Sequence, residues 1–180
     1  MKSKFAIKGH PLHPMLIALP IGLFTWTLVV DIVFLIIEDT VWYEIARWSG
    51  LAAIVSALAA ALPGIGDFLA LPFAGKSRWI ATIHMLLNLA VIGVFTVAAF
   101  FMFSEFLMIG EDVAVGFPLY LTVALHAAGV AMLMVSGWLG GELVYHHHIG
   151  VVPAATHIST GADDEVRSPS QQREKARLGR

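Results

Sequence analysis

The sequence MLIALPIGLFTWTLVVDIVFLII, residues 15–37, decides the fold class of this chain. It contains 23 almost entirely apolar residues, and a transmembrane helix needs about 20. Pro14 stands directly before it, and proline is favoured in the first turn of a helix. A secretory signal peptide would have a shorter apolar run with a small-residue cleavage site after it. We therefore predict a retained transmembrane helix near Met15–Ile37.

Three more apolar stretches of similar length follow, and we predict spans near Trp48–Leu71, Trp79–Phe103 and Phe117–Leu143. The connections between the stretches are short, and short connections make consecutive helices antiparallel neighbours. We therefore predict an all-α membrane protein. Residues 1–152 are expected to form an up-down four-helix bundle in contact with the lipid bilayer.

The composition excludes several other classes of protein. Of the 180 residues, 58% are hydrophobic and 13% are charged, against about 45–50% and about 25% in a soluble domain. A typical cytosolic enzyme and a disordered chain are thereby excluded. The net charge of −2 provides no basic field for nucleic acid. The chain has no cysteine, which excludes disulfides, iron–sulfur clusters and covalently attached haem. No nucleophile motif or phosphate-binding glycine loop indicates a hydrolase.

Positive residues predict the orientation in the membrane. Ten of the 11 lysines and arginines lie on the side of both termini and of the loop 72–78, whereas Arg47 alone lies on the other side. We therefore predict a multi-pass protein of the bacterial inner membrane with both termini in the cytoplasm. Residues 153–180 are rich in polar and charged side chains, so we predict a disordered cytoplasmic tail there.

Ionisable residues at or inside the hydrocarbon are costly and usually face the interior of a bundle. The predicted topology brings such residues from all four spans to the cytoplasmic end: His10, His13, Asp67, His84, Glu142 and His146–His148. This convergence in depth is the main functional signal of the chain. In the outer half, His126 is expected to be a hydrogen-bonded interior histidine, and a pairing with Asp31 stays open.

Local spacing supports a shared site at the cytoplasmic end. His84 and Asn88 are four residues apart, so they share one face of the third span. Glu142 and His146 have the same spacing. Gly137, Gly140 and Gly141 give the fourth span a thin face on which another helix could pack closely. An oligomer is therefore one of the arrangements that the sequence allows.

Proline and glycine predict two local distortions of the chain. Pro11 and Pro14 restrict the backbone of their neighbours. His10 and His13 are therefore expected to be held in a turn. The group Pro63, Gly64 and Gly66 is expected to break or kink the second span just before its aspartate.

Four motifs together resemble a bacterial membrane-protein family. They are Gly9-His10-Pro11-Leu12-His13-Pro14, Pro63-Gly64-x-x-Asp67, His84-x-x-x-Asn88 and Ser136-Gly137-Trp138-Leu139-Gly140-Gly141-Glu142-Leu143-Val144-Tyr145. In this order, from Lys8 to Val151, they resemble the family called domain of unknown function 2231. The resemblance implies no settled activity, although some relatives are fused to Rieske-type iron–sulfur domains, which points to electron transfer. The family pattern after Tyr145 resembles Tyr-Arg-His-Gly. His147 therefore matches the family histidine, whereas His146 departs from the pattern.

The first functional hypothesis is a b-type haem protein that carries electrons at the membrane. Non-covalent haem in a four-helix bundle needs two imidazoles at similar depth on facing helices, with small residues beside the macrocycle. His84 is the predicted axial ligand, with His13 or His147 as the second. Asn88 would orient the ring of His84, while Gly137, Gly140 and Gly141 would leave room. A quinol or a redox partner protein would exchange electrons at the cytoplasmic end.

Two alternatives stay open. One is the handling of metal ions or protons, because histidines titrate near neutral pH and six residues offer nitrogen and oxygen donors suited to zinc, iron or manganese. These residues are His10, His13, Asp67, His84, Glu142 and His147. A transport path would have few polar groups in the outer half of the bundle, where Asp31 and His126 are the only predicted ionisable residues. The other alternative is a membrane scaffold whose polar cluster only fixes helix packing.

Overall fold

The computed structural model of the chain describes residues 3–72, 74–109 and 117–151. Within these ranges a short hairpin precedes the helices: β1 (Ala6–Ile7), β2 (His10–Pro11), α1 (Leu12–Leu16), α2 (Ala18–Ile37), α3 (Thr40–Leu69), α4 (Lys76–Ile109) and α5 (Phe117–Tyr145). Four apolar helical segments are long enough to cross a membrane: Leu12–Ile37, Thr40–Leu69, Lys76–Ser104 and Pro118–Tyr145. The predicted fold class is confirmed. The predicted tail, residues 153–180, lies outside the described residues.

The four long helices form a closed ring in which α2 packs on α3 and α5, and α4 packs on the same two helices. Buried apolar side chains fill the interior at successive levels, with Phe34 near one end, Phe24 and Phe95 in the middle and Leu143 near the other end. Large apolar side chains also point outward, and Trp138 is 79% exposed. Such a surface suits hydrocarbon as its solvent.

The second span begins earlier than the sequence predicts. We expected it to start at Trp48, but α3 begins at Thr40. The carboxylate of Asp39 accepts a hydrogen bond from the backbone N–H of Val41 at 3.0 Å, so this residue caps the helix. A search for apolar stretches finds only the part of a helix that can lie in the hydrocarbon core. It misses the more polar first turns of α3, which follow the cap. Of the expected break or kink near Pro63, the break is absent, because α3 continues through this proline to Leu69.

The segment before the first span forms a β-hairpin that the sequence analysis did not predict. Lys8 and Gly9 have positive φ values of 49° and 85°, as the two central residues of a tight hairpin turn require. The expected turn around both histidines is therefore wrong: His10 lies in β2 and His13 lies in α1. We call the end of the bundle that carries this hairpin and the last turn of α5 the terminal end.

Candidate functional site

Two imidazole rings face each other at the terminal end. His13 lies in α1, and His84 lies eight residues after the first residue of α4. The centroids of the two rings are 6.5 Å apart, and their planes are nearly perpendicular, at 88°. The structure therefore brings together two of the predicted ligands, from helices far apart in sequence.

The ring of His13 is hydrogen-bonded to α3. Its Nδ1 donates to the carbonyl oxygen of Ala60 at 2.8 Å, which leaves Nε2 with a free lone pair in the neutral ring. Gly64 lies against the same ring, because a Cβ at this position would lie 2.7 Å from His13 Nδ1. Pro63 lies next to that glycine and removes one helical donor from this part of α3. The Pro-Gly motif thus makes the space that the His13 ring occupies.

The ring of His84 is held by α5 and by its own helix. Its Nδ1 donates to the carbonyl oxygen of Ser136 at 2.8 Å. The Asn88 amide nitrogen lies 3.1 Å from His84 Nε2 and also donates to Ser136 Oγ at 2.8 Å. At Gly140, a Cβ would lie 3.1 Å from Cε1 of the ring. Asn88 and Gly140 therefore lie beside His84, as predicted.

Among the described residues, the other predicted residues at this end are not hydrogen-bonded to the ring pair. Glu142 accepts a hydrogen bond from His146 Nδ1 at 2.5 Å. The Nε2 atom of His147 is buried and has no hydrogen-bond partner among the described residues. Gly137 has no atom near its possible Cβ, and Gly141 faces its own helix, so neither glycine adjoins His84.

His10 and Asp67 form contacts with the N-terminal segment instead. His10 is exposed, and its Nδ1 donates to the carbonyl oxygen of Lys8 at 3.2 Å. Asp67 accepts from Ser3 Oγ at 2.7 Å and from the backbone N–H of Lys4 at 2.9 Å. Across the described part of the chain, no three His, Asp or Glu side chains come together in a way that could hold a metal ion. The six predicted metal ligands share one end of the bundle without sharing one coordination sphere.

A second polar contact lies in the other half of the bundle. His126 Nδ1 donates to Asp31 Oδ2 at 2.6 Å, and both side chains are only 1% exposed. The ring of Phe95 stacks on His126, with centroids 4.5 Å apart and planes at 20°. His126 is thus the hydrogen-bonded interior histidine expected from the sequence, and Asp31 is its partner.

The backbone carbonyls of Ala60 and Ser136 were missed by the sequence analysis. Ser136 opens the last of the four motifs, so the motif did point to this residue. The rotation of the helices against each other determines which carbonyl lies next to an imidazole ring. The types of residue in the sequence do not show this rotation.

Both imidazoles and both carbonyls lie inside one region that matches a known family. A family model described as a predicted membrane protein, DUF2231, matches residues 9–153. The chain belongs to this family. The resemblance found in the sequence is thereby confirmed, and the DUF2231 match covers all four candidate spans. No curated protein and no solved structure matches the chain.

Proposed function

We propose that this DUF2231 protein binds a b-type haem between His13 and His84 and transfers electrons at the bacterial inner membrane. The facing ring pair, with centroids 6.5 Å apart, carries the proposal. A nitrogen–metal bond is about 2 Å long, so two imidazoles that held one metal ion between them would have their centroids about 6 Å apart. Each Nδ1 donates to a backbone carbonyl, and this arrangement favours Nε2 as the ligand atom.

The number of protein ligands favours haem over a bare metal ion. A macrocycle supplies the in-plane donors itself, so the protein needs to provide only the axial imidazoles. A zinc, iron or manganese ion held by protein alone takes about four or more donors. The described residues bring no third His, Asp or Glu into a metal-binding group with the two rings. The two histidines would therefore suffice for haem, whereas a zinc, iron or manganese ion would need further donors.

Small and adjustable neighbours fit the same proposal. Gly64 adjoins the ring of His13, and Gly140 adjoins the ring of His84. Iron at His84 Nε2 requires the Asn88 amide to release that nitrogen. The amide already donates to the backbone oxygen of His84 at 2.7 Å and to Ser136 Oγ at 2.8 Å. The amide can therefore give up its contact with His84 Nε2 and keep its hydrogen bonds to the His84 backbone oxygen and to Ser136 Oγ.

A haem held by both His13 and His84 would have no position left on its iron for a gas or a substrate, which favours electron transfer. The ring pair lies within the terminal end, and both of its helices belong to candidate membrane spans. A quinone dissolved in the bilayer is therefore the partner that we propose, with a soluble redox protein at the cytoplasmic surface as the alternative donor or acceptor. The cytoplasmic placement rests on the distribution of lysine and arginine.

The test is the visible spectrum of the full-length protein, purified from cells with an ample haem supply. We expect a Soret band in the wild type that is lost in His13→Ala and in His84→Ala. His10→Ala is the matched control, because this exposed histidine lies three residues before His13 and should leave the spectrum unchanged.

Three outcomes would reject the haem proposal. The first is a wild-type protein without a Soret band, and the second is a band that survives both substitutions. The third is stoichiometric zinc, iron or manganese in haem-free protein, which would favour the metal alternative. A protein that holds neither haem nor metal would act as a scaffold.

A further inference from the structure

We propose that Asp31 and His126 form a proton-binding site inside the membrane domain, in which the two side chains take up and release one proton as a unit. The site is separate from the His13–His84 pair, and the proposal does not depend on haem. Its basis is the contact between His126 Nδ1 and Asp31 Oδ2 at 2.6 Å, with both side chains 1% exposed. Ionisable residues within a membrane span mark functional sites by default.

Helix packing alone does not require such a pair. Replacing a buried ion pair by apolar residues of similar volume is often neutral or stabilising, because the desolvation cost offsets the attraction between the charges. The surrounding bundle already contains a large apolar core, with Phe24 and Val30 on the helix of Asp31. A purely structural role would therefore be met equally well by two apolar side chains at these positions.

The surroundings of the pair hold its members in contact. Phe95 of α4 stacks on the His126 ring, so the imidazole is fixed between two helices. Because α2, α4 and α5 each contribute, the geometry of the pair depends on the packing of the whole bundle.

Other charges at this level are balanced. Gly50 contacts Thr27, and Phe34 contacts Tyr43, so Asp31 lies level with residues 46–47 of the antiparallel helix α3. The charged side chains there, Glu44 and Arg47, bind each other. Tyr43 is a titratable neighbour on the same helix, and its hydroxyl donates to the carbonyl of Met102.

On the other helices, the ionisable groups lie away from the pair. The described side chains of α4 that ionise are Lys76, Arg78 and His84, all in its first nine residues at the terminal end. On α5, Tyr120 is 57% exposed, and Glu142 and Tyr145 lie at the terminal end. Among the described side chains, the pair itself therefore sets the proton balance of the site.

The proton states of the pair differ in net charge, and the apolar surroundings increase the energy differences between these states. A carboxylate beside an imidazolium is neutral in sum, as is a carboxylic acid beside a neutral imidazole. Loss of the shared proton leaves one net negative charge, and gain of a second leaves one net positive charge. Strongly interacting groups of this kind titrate as a pair and not as two independent residues.

The site lies nearer the end opposite the terminal end, behind a buried layer that includes Phe34 and Leu119. Asp31 lies six residues before the last residue of α2, which corresponds to about 9 Å along the helix. Thr122 lies one turn closer to the same end on α5. In the opposite direction, residues 127–135 of α5 are all apolar or glycine. Proton exchange is therefore expected from the side away from the termini.

The test is nuclear magnetic resonance of ¹⁵N-histidine in the full-length protein in lipid nanodiscs, titrated from about pH 4 to about pH 9. The His126 signals are assigned by their absence in His126→Gln. We expect these signals to change with pH in the wild type. In Asp31→Asn the midpoint should move by at least about tenfold in proton concentration. Asp67→Asn is the control and should leave the His126 midpoint unchanged, because the Asp67 carboxylate binds Ser3 and Lys4 at the terminal end.

Two results would overturn the proposal. One is a His126 signal that keeps a single form over the whole range, and the other is the same titration in Asp31→Asn as in the wild type. Should the Asp31 variant not fold, the infrared spectrum of the wild type decides instead. A deuterium-sensitive carboxylic-acid band should then change in step with His126, and a band independent of pH contradicts the proposal. None of these measurements involves haem, so their failure leaves the haem proposal standing.

Discussion

The ring of His84 illustrates how single residues act at the terminal end. Its Nδ1 donates to the carbonyl of Ser136 and lies 3.0 Å from Ser136 Oγ. The Asn88 amide donates to that same Oγ, so it also holds the ring through Ser136, on the side away from Nε2. Residues that orient a metal-binding histidine typically change metal affinity about 10–100-fold when they are removed. We therefore expect Asn88→Ala to weaken haem binding about tenfold. Titration of haem into the purified variant, with Thr96→Ala on the exposed face of α4 as control, checks this. Equal affinity in both variants would contradict a positioning role for Asn88.

The two glycines Gly64 and Gly137 provide a matched pair of substitutions. A Cβ at Gly64 would lie 2.7 Å from His13 Nδ1, whereas nothing lies within 4 Å of one at Gly137. Alanine favours helix over glycine by about 1 kcal/mol, so the second substitution should keep or raise stability. We expect Gly64→Ala to lower the melting temperature and Gly137→Ala not to do so. Thermal unfolding followed by circular dichroism compares the two, and an equal effect would show that His13 does not occupy this space.

Sequence spacing was sufficient for contacts within one helix and insufficient for contacts between helices. The neighbourhood of His84 and Asn88 followed from their separation of four residues. Only the packed bundle shows that the His13 ring lies next to His84, since His147 was an equal candidate. The partner of His126 likewise depended on the rotation of α2 against α5, which apolar periodicity does not fix in a helix that is apolar on every side.

The N-terminal hairpin is the element whose role is easiest to isolate. Asp67, near the end of α3, accepts hydrogen bonds from Ser3 and from the Lys4 backbone. A hydrogen bond to a charged group contributes about 1.5–3 kcal/mol, less where solvent competes. We expect Asp67→Asn to release the segment and to speed tryptic cleavage after Lys4 or Lys8 several-fold. Glu142→Gln, which alters a carboxylate at the same end, should leave the rate unchanged. Equal rates in wild type and Asp67→Asn would contradict the role of this contact.

Helices were predictable as elements because about 20 apolar residues leave few alternatives in a membrane. The start of α3 could not be predicted in this way, because residues 40–47 do not form an apolar stretch and their helix begins at the Asp39 cap. The hairpin strands, Ala6–Ile7 and His10–Pro11, have two residues each and are too short for an alternating pattern. Their pairing depends on the turn at Lys8 and on the contacts with α3.

The orientation of the whole molecule in the membrane stays a prediction from its charges, and the absence of cysteine makes it testable. Val41, at the start of α3, is 58% exposed, and Lys76 is exposed at the start of α4, at the other end of the bundle. We expect a membrane-impermeant thiol reagent to label Val41→Cys from the periplasmic side. Lys76→Cys should react only after the membrane is permeabilised. The reverse pattern would place the termini outside, and the wild type serves as the unreactive control.

Helix α5 serves both polar pairs of the molecule. Ser136 supplies the carbonyl that holds His84, and His126, ten residues earlier, binds Asp31. A helix rises about 1.5 Å per residue, so these two contact points are about 15 Å apart on one stiff rod. Any sliding or turning of that rod alters both contacts together. A ligand held at the terminal end and a charge change near the other face of the membrane would therefore act on each other mechanically, with no chain of polar side chains between them.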